Sequence, residues 1–507
     1  MAKPASPPSD DPETLRALLV EAQAENERLR QIILAMQLHR FGRRAESLPE
    51  DQLLLGLEEA EQVEAAGLAA EETEPVKKAA RGAKRRTNRG ALPAHLPRVE
   101  TLVDVDSTAC RCCAGALHKI GEDVSERLDV VPAQFRVLVI RRPRYACRAC
   151  EETFAQAPAP ARLIEGGLPT DALVAQVLVS KYADHLPLYR QAQIFARQGI
   201  NLDRSTLADW VGRAGFLLRP VHERLLETLK RSGKLFADET TAPVLEPGRG
   251  RTKTGQLWAY ARDDRPWGGS DPPGVAYVYA PDRTAGRPIA HLSGFEGVLQ
   301  VDGYAAYEVL AKDGTIRLAY CWSHVRRQFY DLAAASPIAT EALTRIAALY
   351  RIEADIRGRP AGERRAARQE RSRPVIDVLE PWLREKLDLL SRKSKLAEAI
   401  RYALTRWAGL SLFLDDGRVE IDSNVVERAI RPLALNRKNA LFAGSDGGGE
   451  HWAVIASLIE TCKLVGVEPQ AYLADVITRI VDGYPQRRLD DLLPWAYPAT
   501  PALKAVA

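Results

Sequence analysis

The stretch Gly297–Tyr307, GVLQVDGYAAY, decides how the rest of the chain is read. Val298, Leu299 and Val301 form a short apolar run with strand character, and it stops at Asp302-Gly303. Asp-Gly is among the commonest turn dipeptides, so on its own the pair predicts a turn. A carboxylate at the end of a buried strand is also held in a fixed place at a sheet edge, where a ligand or metal can reach it. Two more acids have comparable settings. Lys234–Ala237 (KLFA) delivers Asp238, followed by Glu239-Thr240-Thr241, and VEIDSNVVERAIRP from Val419 to Pro432 places Glu427 within a helical pattern.

Working outward, five runs predict strands: KLFADETTAPVL (234–245), QLWAYARD (256–263), GVAYVYAPDR (274–283), GVLQVDGY (297–304) and IRLAYCW (316–322). A helix is expected from near Ser323, with Val325, Phe329 and Leu332 on its apolar face and His324, Arg327 and Gln328 elsewhere. His324 could orient a phosphate or a water, or be an ordinary helix-start histidine. Magnesium takes oxygen ligands, and two such ions can clamp the attacking and leaving oxygens of an in-line phosphoryl displacement. Three carboxylates from distant parts of the chain suit that role. Chemistry alone does not select them among 67 acidic residues. Asn424-x-x-Glu427 is also close to a helix capping box.

Four motifs, in this order, carry a resemblance: FADETTAPVL, GVLQVDGYAAY, AYCWSHVRRQF and IDSNVVERAIRPLALNRKNALFAGSDGGG. They are similar to the insertion-sequence-66 type of bacterial transposase, and the likeness runs from about Leu15 to about Ile480. It implies an RNase H-like catalytic core with an Asp-Asp-Glu triad, here Asp238, Asp302 and Glu427, holding two Mg2+ (or Mn2+) ions. The pattern departs after Asp238: Thr241 stands where many family members have proline, and Pro243 follows.

With 507 residues, 46% hydrophobic and 27% charged, the chain is long enough for several domains. Neither a secretory leader nor a transmembrane run is read in it, so a cytoplasmic, nucleoid-associated protein is expected. Net charge is only +4, yet the basic residues are bunched, as a polyanionic partner requires. From Leu15 a heptad places Leu15, Ala22, Leu29 and Met36 at d, with Leu19, Asn26 and Ile33 at a. An Asn at a fixes register in two-stranded coils, so a short coiled coil is expected, with an amphipathic helix as the alternative. Residues 50–74 are rich in Glu and Ala. From Pro75 to Arg98 there are eight Lys and Arg and no acid: Lys77, Lys78, Arg81, Lys84, Arg85, Arg86, Arg89 and Arg98. This basic linker could lie along phosphates or simply be solvated.

Cys110-x-x-Cys113 and Cys147-x-x-Cys150 have the spacing of two zinc knuckles, and the strand-like stretch Leu128–Tyr145 between them suggests a zinc-ribbon-like module holding structural Zn2+. Cys112 could compete as a ligand. Arg136, Arg141, Arg142 and Arg144 make the module basic. Residues 171–182, 188–198 and 205–214 read as three helices, the last two joined across Gly199. That pattern fits a helix-turn-helix offering Arg204, Ser205 and Thr206 to DNA, or plain three-helix packing. Residues 333–418 are helical and rich in Ala, Leu and Arg. Their arginine-rich stretch, 357–373, is read either as a DNA track or as a solvated hairpin. After Glu427, the basic residues Arg428, Arg431, Arg437 and Lys438 are candidate phosphate contacts, as are His324 and Arg327.

The expected fold class is therefore multidomain α+β. Residues 1–48 are a disordered start and leucine-zipper-like coiled coil, 49–98 an acidic helix and basic linker, 99–160 the zinc-binding module, and 161–230 the helical DNA-binding unit. The RNase H-like core occupies 231–332 and 419–450, interrupted by a helical insertion at 333–418. Residues 451–507 form a C-terminal helical segment and tail. The expected function is metal-dependent cleavage of transposon-end phosphodiesters and strand transfer to double-stranded target DNA. The protein would act as a homodimer or higher oligomer, with accessory proteins of the same element possible and no membrane partner. The alternative is a catalytically silent, zinc-dependent DNA-binding regulator.

Overall fold

The computed structural model describes residues 98–100, 134–146, 154–246, 251–312 and 314–498. The chain divides into two compact units, residues 1–135 with 503–507, and residues 136–502. The heptad at 15–36, the basic linker up to residue 97, and Cys110, Cys112, Cys113, Cys147 and Cys150 lie outside the described residues. The second unit opens with two short antiparallel strands, β1 (Arg144–Ala146) and β2 (Phe154–Gln156), which pair Tyr145 with Ala155. Residues 134–143, expected to be strand, are irregular and exposed.

Helices α1 (Asp171–Tyr182), α2 (Leu188–Arg197) and α3 (Arg204–Lys230) come next. Thr170 caps α1 by accepting the N–H of Leu173 at 3.2 Å. The third helix is far longer than the sequence reading of 205–214. Its buried stripe, Leu207, Val211, Ala214, Leu218, Val221, Leu225 and Leu229, keeps helical spacing straight through Pro220. The hydrogen bond that Pro220 forfeits falls on Phe216, an exposed position where water can take the carbonyl. Each buried Leu of that stripe contributes roughly 1.5–3 kcal/mol of burial, enough together to override one proline.

Five strands make one mixed sheet: β3 (Lys234–Leu245), β4 (Thr252–Arg262), β5 (Gly274–Ala280), β6 (Gly297–Val301) and β7 (Ile316–Tyr320), in the order β5-β4-β3-β6-β7. β3 pairs antiparallel with β4 and β4 with β5, whereas β6 lies parallel to β3 and β7 parallel to β6. Two short helices, α4 (Gly286–His291) and α5 (Ala305–Leu310), connect β5 to β6 and β6 to β7. Alternation along β6 sends Leu299 and Val301 into a core shared with α1 and α3, and Val298 into a second core built from later helices.

That second core belongs to α6 (Trp322–Ala333), α7 (Pro337–Ile356), α9 (Arg373–Asp388), α10 (Lys395–Thr405) and α11 (Trp407–Asp415), with α8 (Ala361–Ala367) lying in sequence between α7 and α9. The chain then returns to the sheet through α12 (Asn424–Ala440), α13 (Asp446–Val465) and α14 (Pro469–Val481). Among the described residues no helix is long and apolar enough to cross a membrane.

The arginine-rich stretch 357–373 is neither wholly a DNA track nor a solvated hairpin. A π-helical turn at Arg368–Ser372 joins α8 to α9, and Arg364 and Arg368 are only 1% and 0% exposed. Arg368 donates to both oxygens of Glu353 at 2.7 Å, and Arg364 donates to Glu420 at 2.7 Å. Arg371 and Arg373 pair with Asp355 and Asp415. Arg357, Arg359 and Arg365 stay exposed. Charge patterning could not separate these groups, because a buried ion pair and a surface track use the same residues. Removing one partner of a buried pair strands the other charge. Glu353→Ala should therefore cost about 3–5 kcal/mol in urea unfolding, against less than about 1 kcal/mol for Glu341→Ala at the exposed Arg345 pair.

Candidate active site

Asp238 and Asp302 sit just beyond the last paired position of neighbouring parallel strands, where Phe236 lies opposite Gln300. Both are half-buried. Asp238 Oδ1 accepts the N–H of Glu239 at 2.8 Å. Burial, followed by the negative charges of Asp302, Glu239 and Glu427, pushes its carboxyl up to about 7. Among the described residues no lysine or arginine pairs with Asp238, Asp302 or Glu427.

The Asp302-Gly303 turn and the Asp302 site are one feature. Asp302 Oδ1 accepts the N–H of Tyr304 at 2.8 Å, closing an Asx turn. Gly303 has φ +133, and a Cβ there would come within 2.6 Å of Arg406 Nε. Two side chains from the long helical segment brace this turn. The Tyr402 hydroxyl donates to the Asp302 carbonyl at 2.8 Å, and Arg406 Nη2 donates to the Gly303 carbonyl at 3.0 Å. Arg406 also stacks over the Tyr402 ring, 4.2 Å from its centroid.

The third acid arrives by way of Gln300, which is fully buried on β6. Its amide donates to the carbonyls of Glu420 and Asp422 at 2.7 and 2.9 Å, and its Oε1 accepts the Glu420 N–H at 3.2 Å. Trp322 N–H donates to the Ile421 carbonyl at 3.0 Å. The returning chain is thereby fixed beside β6 just before α12, whose first turn carries Glu427. Ser423 precedes that turn, and its hydroxyl donates to Glu427 Oε1 at 3.0 Å. The helix starts at Asn424 with no side-chain cap bond, so Glu427 does not close a capping box from Asn424. Tyr277 donates to the Ala429 carbonyl, and Arg437 Nη1 donates to Thr240 and Thr241 at 3.0 and 2.9 Å, pinning α12 to the sheet.

His324 reaches the same place. Its Nδ1 lies 3.8 Å from Glu427 Oε1, and Cys321 Sγ lies 3.9 Å from that oxygen. The Cys321 thiol beside it, and then the charges of Glu427 and Asp302, raise the imidazole to about 9 against the opposing effect of burial. The effect is one of nearness, since Nδ1 has no partner at hydrogen-bond distance.

The remaining candidates are spread over three helices. Arg428, Arg431 and Lys438 are exposed on α12 and Arg327 is exposed on α6, while Arg437 is committed to β3. Arg204 and Ser205 are exposed and Thr206 half-buried at the start of α3. Among the described residues none of these three bonds to the acidic cluster. Sequence reasoning missed Glu239, Arg283, Gln300, Tyr402 and Arg406 as part of the site. Arg283 pairs with Glu239 and lies over the Tyr304 ring, 3.9 Å from its centroid, and Tyr307 donates to Glu239 at 2.9 Å. Glu239 had a signal, its place next to Asp238. Tyr402 and Arg406 had none, being remote in sequence.

Gln300→Leu leaves two carbonyls and one N–H without their partner. At about 1–3 kcal/mol for each buried group stranded, the variant should lose several degrees in Tm. Gln300→Glu can recover at most one of the two donations, and only as the protonated acid, so it should melt well below wild type and lose more at pH 8 than at pH 5.

Comparison with known proteins gives the chain's family. The family model described as "Transposase IS66 family" matches residues 166–451. Models described as "zinc-finger binding domain of transposase IS66", "IS66 C-terminal element" and "Transposase C of IS166 homeodomain" match 107–151, 457–495 and 28–101. The chain is 51% identical over 421 residues to the uncharacterized protein y4jD of Sinorhizobium fredii, covering 81% of this chain and 82% of that one. It is 47% identical over 505 residues to y4qI of the same organism, covering 96% and 92%. A third relative there, y4hP, is 40% identical over 471 residues, covering 88% and 84%. With a family model spanning more than half its length, the chain belongs to the IS66 transposase family.

Proposed function

We propose that this transposase cuts transposon-end phosphodiesters and joins the freed ends to target DNA, using Asp238, Asp302 and Glu427 as ligands for two Mg2+ or Mn2+ ions. The observation that carries the reading is the convergence of three carboxylates, one held up to about 7 by burial and its acidic neighbours, with no lysine or arginine among the described residues paired to them and only the His324 imidazole near Glu427. Oxygen donors not held by a guanidinium or ammonium group suit a hard divalent cation. The sheet order supports an RNase H-like core at 231–332 and 419–450. On one side of β3 the pairings are antiparallel, β3 with β4 and β4 with β5, and on the other they are parallel, β3 with β6 and β6 with β7; the helices of 333–418 read as its insertion.

When bound, such ions activate an attacking oxygen and stabilise the leaving oxygen of an in-line displacement. In the first step water attacks the phosphorus at a transposon end and releases a 3′-hydroxyl. In the second, that 3′-oxygen attacks a target phosphodiester and displaces a target 3′-oxygen. The chain's own part is positional. Gln300 and Ser423 hold Glu427 in place, Tyr402 and Arg406 hold the turn that carries Asp302, and His324 offers a protonated imidazole to a phosphate oxygen. Arg428, Arg431 and Lys438 face solvent on the helix that bears Glu427, where a DNA backbone could pass. End recognition is assigned to the zinc module with Cys110, Cys113, Cys147 and Cys150 and to the start of α3 with Arg204, Ser205 and Thr206. The heptad segment would pair protomers, in a cytoplasmic complex on double-stranded DNA with any accessory proteins of the element.

Two measurements test this. Labelled end DNA with Mg2+ or Mn2+ should give cleaved and joined product, reduced at least about a hundredfold in Asp302→Asn while DNA binding persists. Binding without product in wild type would favour the silent regulator. The second test concerns pH. The Asp238 carboxyl is raised above its unfolded value of 3.8 to about 7, so the fold holds this proton more tightly than the unfolded chain does. Its contribution to stability is therefore lost as pH rises between those values. The Tm of wild type minus that of Asp238→Asn should fall from pH 5 to pH 8. Millimolar Mg2+ should raise the wild-type Tm at pH 8, by about 5 °C, more than at pH 5, and should do neither in the variant.

A further inference from the structure

We propose that Cys321, His324 and Glu427 form a binding site for a thiophilic divalent cation, Zn2+ by the chemistry of its donors, beside the carboxylate site. Their ligand atoms, one sulfur, one imidazole nitrogen and one carboxylate oxygen, lie within 4.8 Å of one another. The sulfur and Nδ1 are 3.9 and 3.8 Å from Glu427 Oε1. In a tetrahedral zinc site, with Zn–S about 2.3 Å and Zn–N or Zn–O about 2.0–2.1 Å, ligand atoms stand roughly 3.4–3.6 Å apart. The two distances to Glu427 need to close by a few tenths of an ångström, and the sulfur–nitrogen separation, within 4.8 Å, by about 1 Å at most.

Local structure places the three donors. Cys321 stands just before the first residue of α6, and His324 lies in the first turn of the same helix. Glu427 comes from the first turn of α12. Outer contacts orient the ligands, as they do at metal centres generally. Cys321 Sγ accepts the Ser423 N–H at 3.2 Å and lies 2.9 Å from Ser323 Oγ, and the Ser423 hydroxyl holds Glu427. The buried His324 Nδ1 has no hydrogen-bond partner among the described residues, an unusual state for a ring nitrogen. Cys321 is buried, but the side chains of His324 and Glu427 are 34% and 35% exposed. An ion thus has a way in, and a fourth position is open to water.

A sulfur and an imidazole select Zn2+ over Mg2+, which prefers oxygen throughout. Sharing of Glu427 is the functional consequence. If the proposed catalytic role of Glu427 holds, Zn2+ here competes with Mg2+ for that carboxylate and restrains cleavage.

The test counts zinc per chain in the full-length protein, loaded with Zn2+ and freed of excess by gel filtration. Wild type should hold one equivalent more than Cys321→Ser and one more than His324→Gln, the zinc module contributing equally to all three. Asp302→Asn should keep the extra equivalent. With Cd2+ in place of Zn2+, the thiolate-to-metal absorbance should fall in Cys321→Ser. Equal zinc counts in wild type and either folded variant would overturn the site, and should Cys321→Ser fail to fold, His324→Gln decides. The count is read without DNA, so it stands or falls separately from the strand chemistry.

Discussion

The arrangement of the three acids depends on one buried carboxamide. Gln300 sits fully enclosed on β6 and bonds the backbone at Glu420 and Asp422, although a whole helical segment separates them in sequence. A polar group with no access to water must be satisfied by the protein, so the amide dictates where the returning chain lies. That chain then starts α12 with Glu427 in its first turn. The strand that ends beside Asp302 therefore also places the acid that comes last in sequence. An aliphatic residue would fill the space as well but could bond nothing, whereas the amide donates to two carbonyls and accepts one N–H.

The helices of 333–418 are more than a spacer between two parts of a site. Tyr402 and Arg406 hold the carbonyls of Asp302 and Gly303, and Trp322 donates to the Leu410 carbonyl at 2.8 Å. The buried Glu353 draws Arg364 and Arg368 inward, and Arg364 in turn grips Glu420, next to the Gln300 contact. One side of the returning segment is thus tied to the sheet and the other to the helices. A change in how those helices pack would be felt at the Asp302 turn and at Glu427 together, which gives a DNA contact made by the helices a mechanical route to the acids.

Much of this was legible in the sequence for a simple reason. Short apolar runs closed by an acid or a turn dipeptide are what buried strands look like, and all five proposed runs are strands here. The Asp-Gly pair was legible as a turn, and the Asx turn it forms uses one carboxylate oxygen and leaves the other for the role proposed for Asp302. The third helix was read only as 205–214, within a stretch to Leu226 that reads as helical throughout, whereas the stripe of buried Leu and Val carries one helix through Pro220 to Lys230. The basic stretch 357–373 was ambiguous because charge says nothing of direction; whether an arginine points inward depends on a glutamate, Glu353, that sequence gives no reason to single out. The bracing of the Asp302 turn had no local signature at all.

Adjacent acids on β3 are treated in opposite ways, and the contrast bears on chemistry. Glu239 is given a permanent cation, Arg283, and the hydroxyl of Tyr307. Asp238, its neighbour, receives one backbone N–H and is otherwise surrounded by negative groups. A fold under no functional constraint would gain stability by pairing Asp238 or replacing it, because an unpaired carboxylate in that setting is costly near neutral pH. Arg283, already within reach of the cluster, is instead committed to Glu239 and stacked on Tyr304. A fixed guanidinium at Asp238 would occupy the place of an exchangeable cation. Leaving that carboxylate without one keeps the place free for the metal ion proposed to bind there.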